Sequence, residues 1–323
     1  MNSSESSSQT FTRRNWFGVT FAAATSVLMT SENRLGASET SVSQNALKKP
    51  EAALRLSSWY NMIPGSLPSR LGYLEAMGMD GIELRGVGQL PNGVDGSPLT
   101  NMAYYREVLR DTPLKPTALD WSNLAAMVCP VANVRQKAID SLKHAIEVAG
   151  ELGAPNIIMV PPRIGKGFEL PGSTESRQIL LETLPGLGEL AVQAGTCLLI
   201  EPCTRKIVNC LHTVSEVAGF VREMKCPGIN IVADFDLMMV EETNITGAIL
   251  SGGNYVKQVH LSGGGRRMPG FGKEDKTRYQ EGFLGLKMTG YQGYCSFECG
   301  NVETFQVQFA QSIEFLRNAW EQA

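Results

Sequence analysis

What most limits the fold of this chain is its alternation. From residue 54 onward, short apolar runs take turns with longer amphipathic stretches, eight of each. The runs cover 54–57, 81–84, 116–119, 156–160, 197–200, 229–233, 256–260 and 295–298. Several are apolar at nearly every position, as a strand must be when both faces of its sheet are covered. Between the runs the period lengthens to that of a helix. In 132–152, Val134, Ala138, Leu142, Ala145, Ile146 and Ala149 recur three or four residues apart and mark one helix face. Gly153 stops that helix, and Gly195 stops another over about 174–194. Further helices are expected over 68–77, 101–110, 213–224, 242–250, 275–289 and 303–321.

Eight strand–helix units in one domain-sized stretch predict an α/β fold, a (β/α)8 TIM barrel. The alternative is a doubly wound open sheet, but no Gly-x-Gly-x-x-Gly turn follows the first run, which argues against a dinucleotide site. The formal net charge of −3 gives no basic field to attract nucleic acid, so a small-molecule substrate is expected. Seven scattered cysteines form neither a disulfide framework nor zinc-knuckle spacing.

Residues 1–37 read as a processing signal. Arg13-Arg14 precede a mildly apolar stretch, 18–29, too short to span a bilayer, and Gly36-Ala37 offer a small-residue cleavage site. This order resembles a twin-arginine signal peptide, which implies recognition by the bacterial twin-arginine export machinery and a periplasmic or otherwise exported protein. The plain alternative is an N-terminal tail with an accidental arginine pair. A polar linker, 38–52, then leads into the barrel, 53–323, with no stable membrane insertion expected after processing.

TIM-barrel chemistry gathers at the C-terminal ends of the strands. Four successive runs, the fifth to the eighth, end on or run straight into a residue able to bind metal: Glu201, Asp234, His260 and Glu298. Each alone has an ordinary reading, since a carboxylate at a strand end often caps the next helix and a lone histidine is usually packed or solvated. Together, at the same phase, three carboxylates would repel each other without a cation. A divalent metal ion removes that cost. Mn2+ or Mg2+ suits the oxygen-rich set, with Co2+ or Zn2+ as softer options that the imidazole permits. His144 and His212 lie in helical stretches and stay outside this group.

On these residues the chain resembles the sugar phosphate isomerase/epimerase superfamily, the xylose isomerase-like TIM barrels, from about residue 54 to the C-terminus. The resemblance is most specific over 197–300 and points to the ketose epimerase branch. There a Glu, Asp, His, Glu quartet holds the metal, matched here by Glu201, Asp234, His260 and Glu298, and an arginine at the place of Arg266 contacts sugar. Residues 260–272, ending Pro269-Gly270-Phe271-Gly272, resemble that branch's loop after strand seven. Two positions depart from it. The branch carries a histidine where this chain has Leu237 and a glutamate where it has Ile207, both used there to grip substrate near its carbonyl.

The resemblance implies a sugar isomerase or epimerase that removes a proton next to a carbonyl through a metal-stabilised enediolate. Glu201 and Glu298 would flank the chelated carbons, one taking the proton and the other returning it from the opposite face. A +2 ion against three carboxylates leaves about −1, which Arg266 could offset. Trp59, Tyr60 and Trp121, just after strands one and three, could wall a sugar face. The same site would support a keto-sugar lyase or dehydratase. A non-catalytic exported carbohydrate-binding protein is the reading from another class, but it has no need of two opposed carboxylates. Phosphorylated sugar is not expected, and a homo-oligomer is left open.

Overall fold

Each apolar run becomes a strand. The computed structural model describes residues 51–86, 97–122, 124–165, 169–300 and 305–323; the expected export signal and nearly all of the linker lie outside them. The strands are β1 Leu56–Ser58, β2 Gly81–Arg85, β3 Lys115–Asp120, β4 Asn156–Met159, β5 Cys197–Ile200, β6 Ile229–Asp234, β7 Val256–Leu261 and β8 Tyr294–Phe297. They pair in parallel in the order β1-β8-β7-β6-β5-β4-β3-β2. Between β1 and β2 a parallel bridge joins Trp59 to Glu83 and closes the wall. The architecture is the (β/α)8 barrel that the alternation predicts.

The helices are α1 Leu67–Ala76, α2 Met102–Arg110, α3 Leu124–Met127, α4 Ala132–Leu152, α5 Ser173–Gln193, α6 Val214–Met224, α7 Phe235–Glu241, α8 Ile245–Gly252, α9 Asp275–Thr289 and α10 Phe305–Gln322. α4 ends on Gly153 at φ +69, a left-handed stop that glycine adopts without steric cost. α6 starts on a capping box in which Thr213 and Glu216 satisfy each other's backbone. The helix expected over 242–250 starts later, because the Asn244 side chain caps it by accepting from Gly247 N at 2.5 Å. The sequence reading missed the short α3, three residues beyond β3, and α7, which follows β6 directly. None of the described helices is long and apolar enough to cross a membrane.

The sheet separates two cores. Leu119, Ile157, Leu198 and Ile231 belong to the large apolar layer between strands and helices. Their neighbours Ala118, Ile158, Leu199 and Val232 form a separate buried cluster, as period-2 alternation demands of a closed barrel. Ser57, Glu83, Thr117, Gln258 and Ser296 are also fully buried, and hydrogen bonds link Ser57 to Thr117 (3.0 Å) and Gln258 to Glu83 (3.0 Å). This polar layer brings a carboxylate up beneath the C-terminal rim.

Candidate active site

Glu201, Asp234, His260 and Glu298 converge at that rim, all buried, and each offers a ligand atom within 4.8 Å of the others. The sheet places them. Asp234 and His260 are register partners across β6 and β7. Glu201 N reaches Met159 O at 2.9 Å and Glu298 N reaches Leu261 O at 3.1 Å, so pairing continues one residue beyond β5 and β8. Asp234 does two jobs. Its Oδ1 caps α7, accepting from Asp236 N (2.8 Å) and Leu237 N (3.2 Å), while Oδ2 faces Arg266 Nη1 at 2.5 Å.

His260 is held from both ends. Nδ1 lies 2.8 Å from Glu201 Oε1 and 2.6 Å from Glu298 Oε2. Nε2 lies 3.1 and 3.2 Å from the two oxygens of Glu83. Burial opposes the imidazolium, yet the charges of Glu83 and Glu298, the hydrogen bond of Glu201 and the close approach of Glu298 raise the His260 pKa well above its usual value. The two glutamates differ. Burial pushes Glu201 up, but the His260 hydrogen bond and charge outweigh it and the net shift is downward. At Glu298 burial dominates, the Glu201 charge adds to it despite His260, and the carboxyl is pushed up to about 8.

Arg266 completes the group, with Nη1 2.9 Å from Glu298 Oε2 as well as against Asp234. Its backbone sits at φ +61, a left-handed conformation unfavourable for a side chain with a Cβ. Asp236 holds it there, accepting from Gly265 N (2.8 Å) and Arg266 N (3.3 Å).

The donor set suits a divalent ion. Five carboxylates, counting Glu83 and Asp236, lie against Arg266 and His260, and an ion that drew all of them into the ionised form would meet more negative charge than those two cations balance. Glu298 Oε2 is buried and makes no aligned hydrogen bond despite its short approaches to His260 and Arg266, leaving a lone pair for a cation. Three carboxylate oxygens and one imidazole nitrogen match the harder divalent ions.

Beside the quartet opens a cavity of about 310 Å3, bordered by Glu201, His260 and Glu298 and walled by Trp59. Trp59 is clamped: its indole N–H donates to Glu83, its ring stands T-shaped to that of His260 with centroids 6.2 Å apart, and the Arg85 guanidinium lies 4.0 Å over its face. Trp121 corrects an expectation. It is fully buried, and its indole N–H donates to Ser141 of α4 at 3.1 Å. Its neighbour Asp120 borders the cavity, so alternation turns Trp121 outward into the helix layer. Tyr60 is likewise fully buried, with its hydroxyl 2.9 Å from that of Tyr105. Leu237 packs with Val160, Cys203 and Val208, while Ile207 is exposed. His144 and His212 stay outside the site, against Leu99 O and Cys203 O respectively.

Sequence reasoning passed over Glu83, Arg85, Asp120 and Asp236. For Glu83 a signal existed, since a carboxylate inside the apolar run 81–84 has to be buried and must find a partner.

Comparison with known proteins agrees with this fold. A sequence model described as xylose isomerase-like TIM barrel matches residues 71–319. The 3-dehydro-D-guloside 4-epimerase of Escherichia coli (strain K12) is 24% identical over 243 residues, 73% of this chain and 87% of that protein. The L-ribulose 3-epimerase of Methylomonas sp. (strain DH-1) is 25% identical over 185 residues, 57% of this chain and 63% of that protein. The apo crystal structure of the E. coli 3-keto-D-glucoside 4-epimerase YcjR has the same fold, with a TM-score of 0.71 at 20% identity over 82% of this chain and 100% of that one. With a family match over well more than half its length, the chain belongs to the xylose isomerase-like TIM barrels and has sugar epimerases among its homologues.

Proposed function

We propose that this protein is a metal-dependent sugar isomerase or epimerase that abstracts a proton next to a carbonyl. The observation that carries the reading is the meeting of four ligand-type side chains within 4.8 Å of one another, two of them glutamates open to one cavity. A divalent ion held by Glu201, Asp234, His260 and Glu298 would act as a Lewis acid on a carbonyl and its neighbouring hydroxyl. Glu201 and Glu298, both within 2.8 Å of His260 Nδ1, then act as the proton-transfer pair. Burial raises the Glu298 carboxyl while His260 holds Glu201 down, and a bound divalent ion would favour the ionised form of both, so each could take up a proton from substrate. Arg266 offsets the excess negative charge, and Trp59 walls the cavity.

Glu83 positions the histidine. By engaging Nε2 it turns Nδ1 toward the carboxylates and strengthens the imidazole as a donor. Glu83→Gln keeps the size but removes the charge, and should weaken metal affinity by about 10- to 100-fold. Calorimetric titration with Mn2+ measures this; an unchanged dissociation constant removes Glu83 from the metal site.

The substrate of this reading is a free or glycosidic keto-sugar, in keeping with the named activities of the relatives. Elimination on the same site draws no support from them. The test is incubation in deuterated water with Mn2+, Mg2+ or Co2+ and a panel of free ketoses and keto-glycosides. Deuterium at the carbon beside the carbonyl is expected; an unsaturated product means elimination, and no metal-dependent exchange with any member refutes the reaction.

The proposal includes export through Arg13-Arg14 and the apolar stretch behind them. Changing both arginines to lysine should leave full-length precursor in the cytoplasm, visible by immunoblot of cell fractions. Unaltered trimming and export would remove the twin-arginine route.

A further inference from the structure

Away from the quartet, the cavity wall holds a second polar group. Asp120, the last residue of β3, is buried and has Oδ2 3.2 Å from Arg85 Nε, while the Ser122 hydroxyl donates to Oδ1. All three border the cavity. Ser122 sits at φ +55, held by its N–H to Ile158 O at 3.1 Å. A non-glycine residue kept in this conformation costs stability, and such strain gathers where a side chain must be aimed.

Hydrogen-bonding capacity in this group is left over. Among the described residues, Arg85 Nε is buried and makes no aligned hydrogen bond, and Asp120 Oδ2 is engaged by the off-axis guanidinium. A carboxylate and a guanidinium side by side offer an acceptor and donors together, which is what a hydroxyl, itself donor and acceptor, requires. An anionic group fits poorly. It would gain Arg85, whose charge is already paired, and would meet Asp120 at close range in a poorly solvated wall. Arg163, exposed at the cavity edge, has no ion-pair partner among the described residues and is the other cation a sugar acid could reach.

We infer that Arg85, Asp120 and Ser122 form a hydroxyl-binding subsite that receives the end of the sugar remote from its carbonyl and selects a neutral sugar over a sugar acid. The inference rests on the reading that the cavity takes a keto-sugar. Trp59, fixed by Arg85 on one face and by Glu83 at its edge, joins this subsite to the quartet as one rigid wall.

The test uses the full chain with Mn2+ and three probes: methyl 3-keto-β-D-glucopyranoside, its 6-deoxy analogue and its 6-carboxylate. Binding is followed by calorimetry, and deuterium exchange is followed separately. Wild type should bind the parent about tenfold or more tighter than either analogue, the usual effect of leaving a buried polar group unmatched. Asp120→Asn should weaken the parent about tenfold, leave the 6-deoxy compound within about twofold and improve the carboxylate. Ser122→Ala, a milder change, should weaken the parent alone by a few fold. Equal weakening of all three probes in both variants would mean a structural ion pair and overturn the subsite, as would a carboxylate bound more tightly than the parent or no binding of any probe. Discrimination without deuterium exchange upholds the subsite and sinks the proposed reaction alone.

Discussion

Glu298→Gln and Glu201→Gln should each lower turnover by about two to four orders of magnitude, the usual contribution of a positioned acid or base. Both side chains are buried, so water offers no ready substitute for the lost carboxylate. Each replacement keeps the size and one oxygen facing the ion. Neither strands a charge: Arg266 retains Asp234 when Glu298 is changed, and His260 retains Glu298 and Glu83 when Glu201 is changed. Binding of substrate should therefore weaken far less than turnover. Deuterium incorporation measured beside calorimetric affinity separates the two effects. If either enzyme form keeps wild-type turnover, that glutamate is not in the proton path; if both do, the carbohydrate-binding reading gains instead.

The second large effect concerns the ion itself. Roughly one divalent ion per chain is expected to remain through dialysis, and Asp234→Asn or His260→Ala should reduce that to a small fraction, since removing one protein ligand of four cuts affinity sharply. The two variants carry different side effects. Asparagine caps a helix about as well as aspartate, so Asp234→Asn preserves the start of α7 and tests the charge facing Arg266. His260→Ala instead leaves the fully buried Glu83 without its imidazole and should also lower the melting temperature. Elemental analysis of both, with thermal melts as a control for folding, decides the matter. Full metal content in both would remove the quartet from the site.

Much of the barrel was legible because its signal is local. A strand covered on both faces needs a continuous apolar run, and α4 came out as Ala132–Leu152, the same span its three-four spacing marks, with Gly153 fixing its C-terminal end. The quartet was legible for a related reason: strand phase is periodic, so residues at the same phase of neighbouring strands arrive on the same rim. Other parts depend on distant pairing. Glu83 acquires its meaning from His260, 177 residues away, and a run of four residues does not announce that partner. Asp120 was lost by one residue, since the third run was ended at 119, and the same offset misassigned Trp121. On a strand, a shift of one position exchanges the barrel interior for the helix layer. Asp236 was out of reach because its task, holding Gly265 and Arg266, belongs to a loop that begins far along the chain.

The wall between β1 and β2 closes where Trp59 meets Glu83, and the same two residues reach His260. The fastening of the hoop and the workbench of the enzyme are thus one object. Evolution can reshape the loops above the other strands and leave the hoop intact, but at this point an altered side chain changes closure and chemistry together. Diversification of this barrel toward new sugars is therefore freer around Asp120 and Ser122 than at the Trp59–Glu83 clasp, which Arg85 braces.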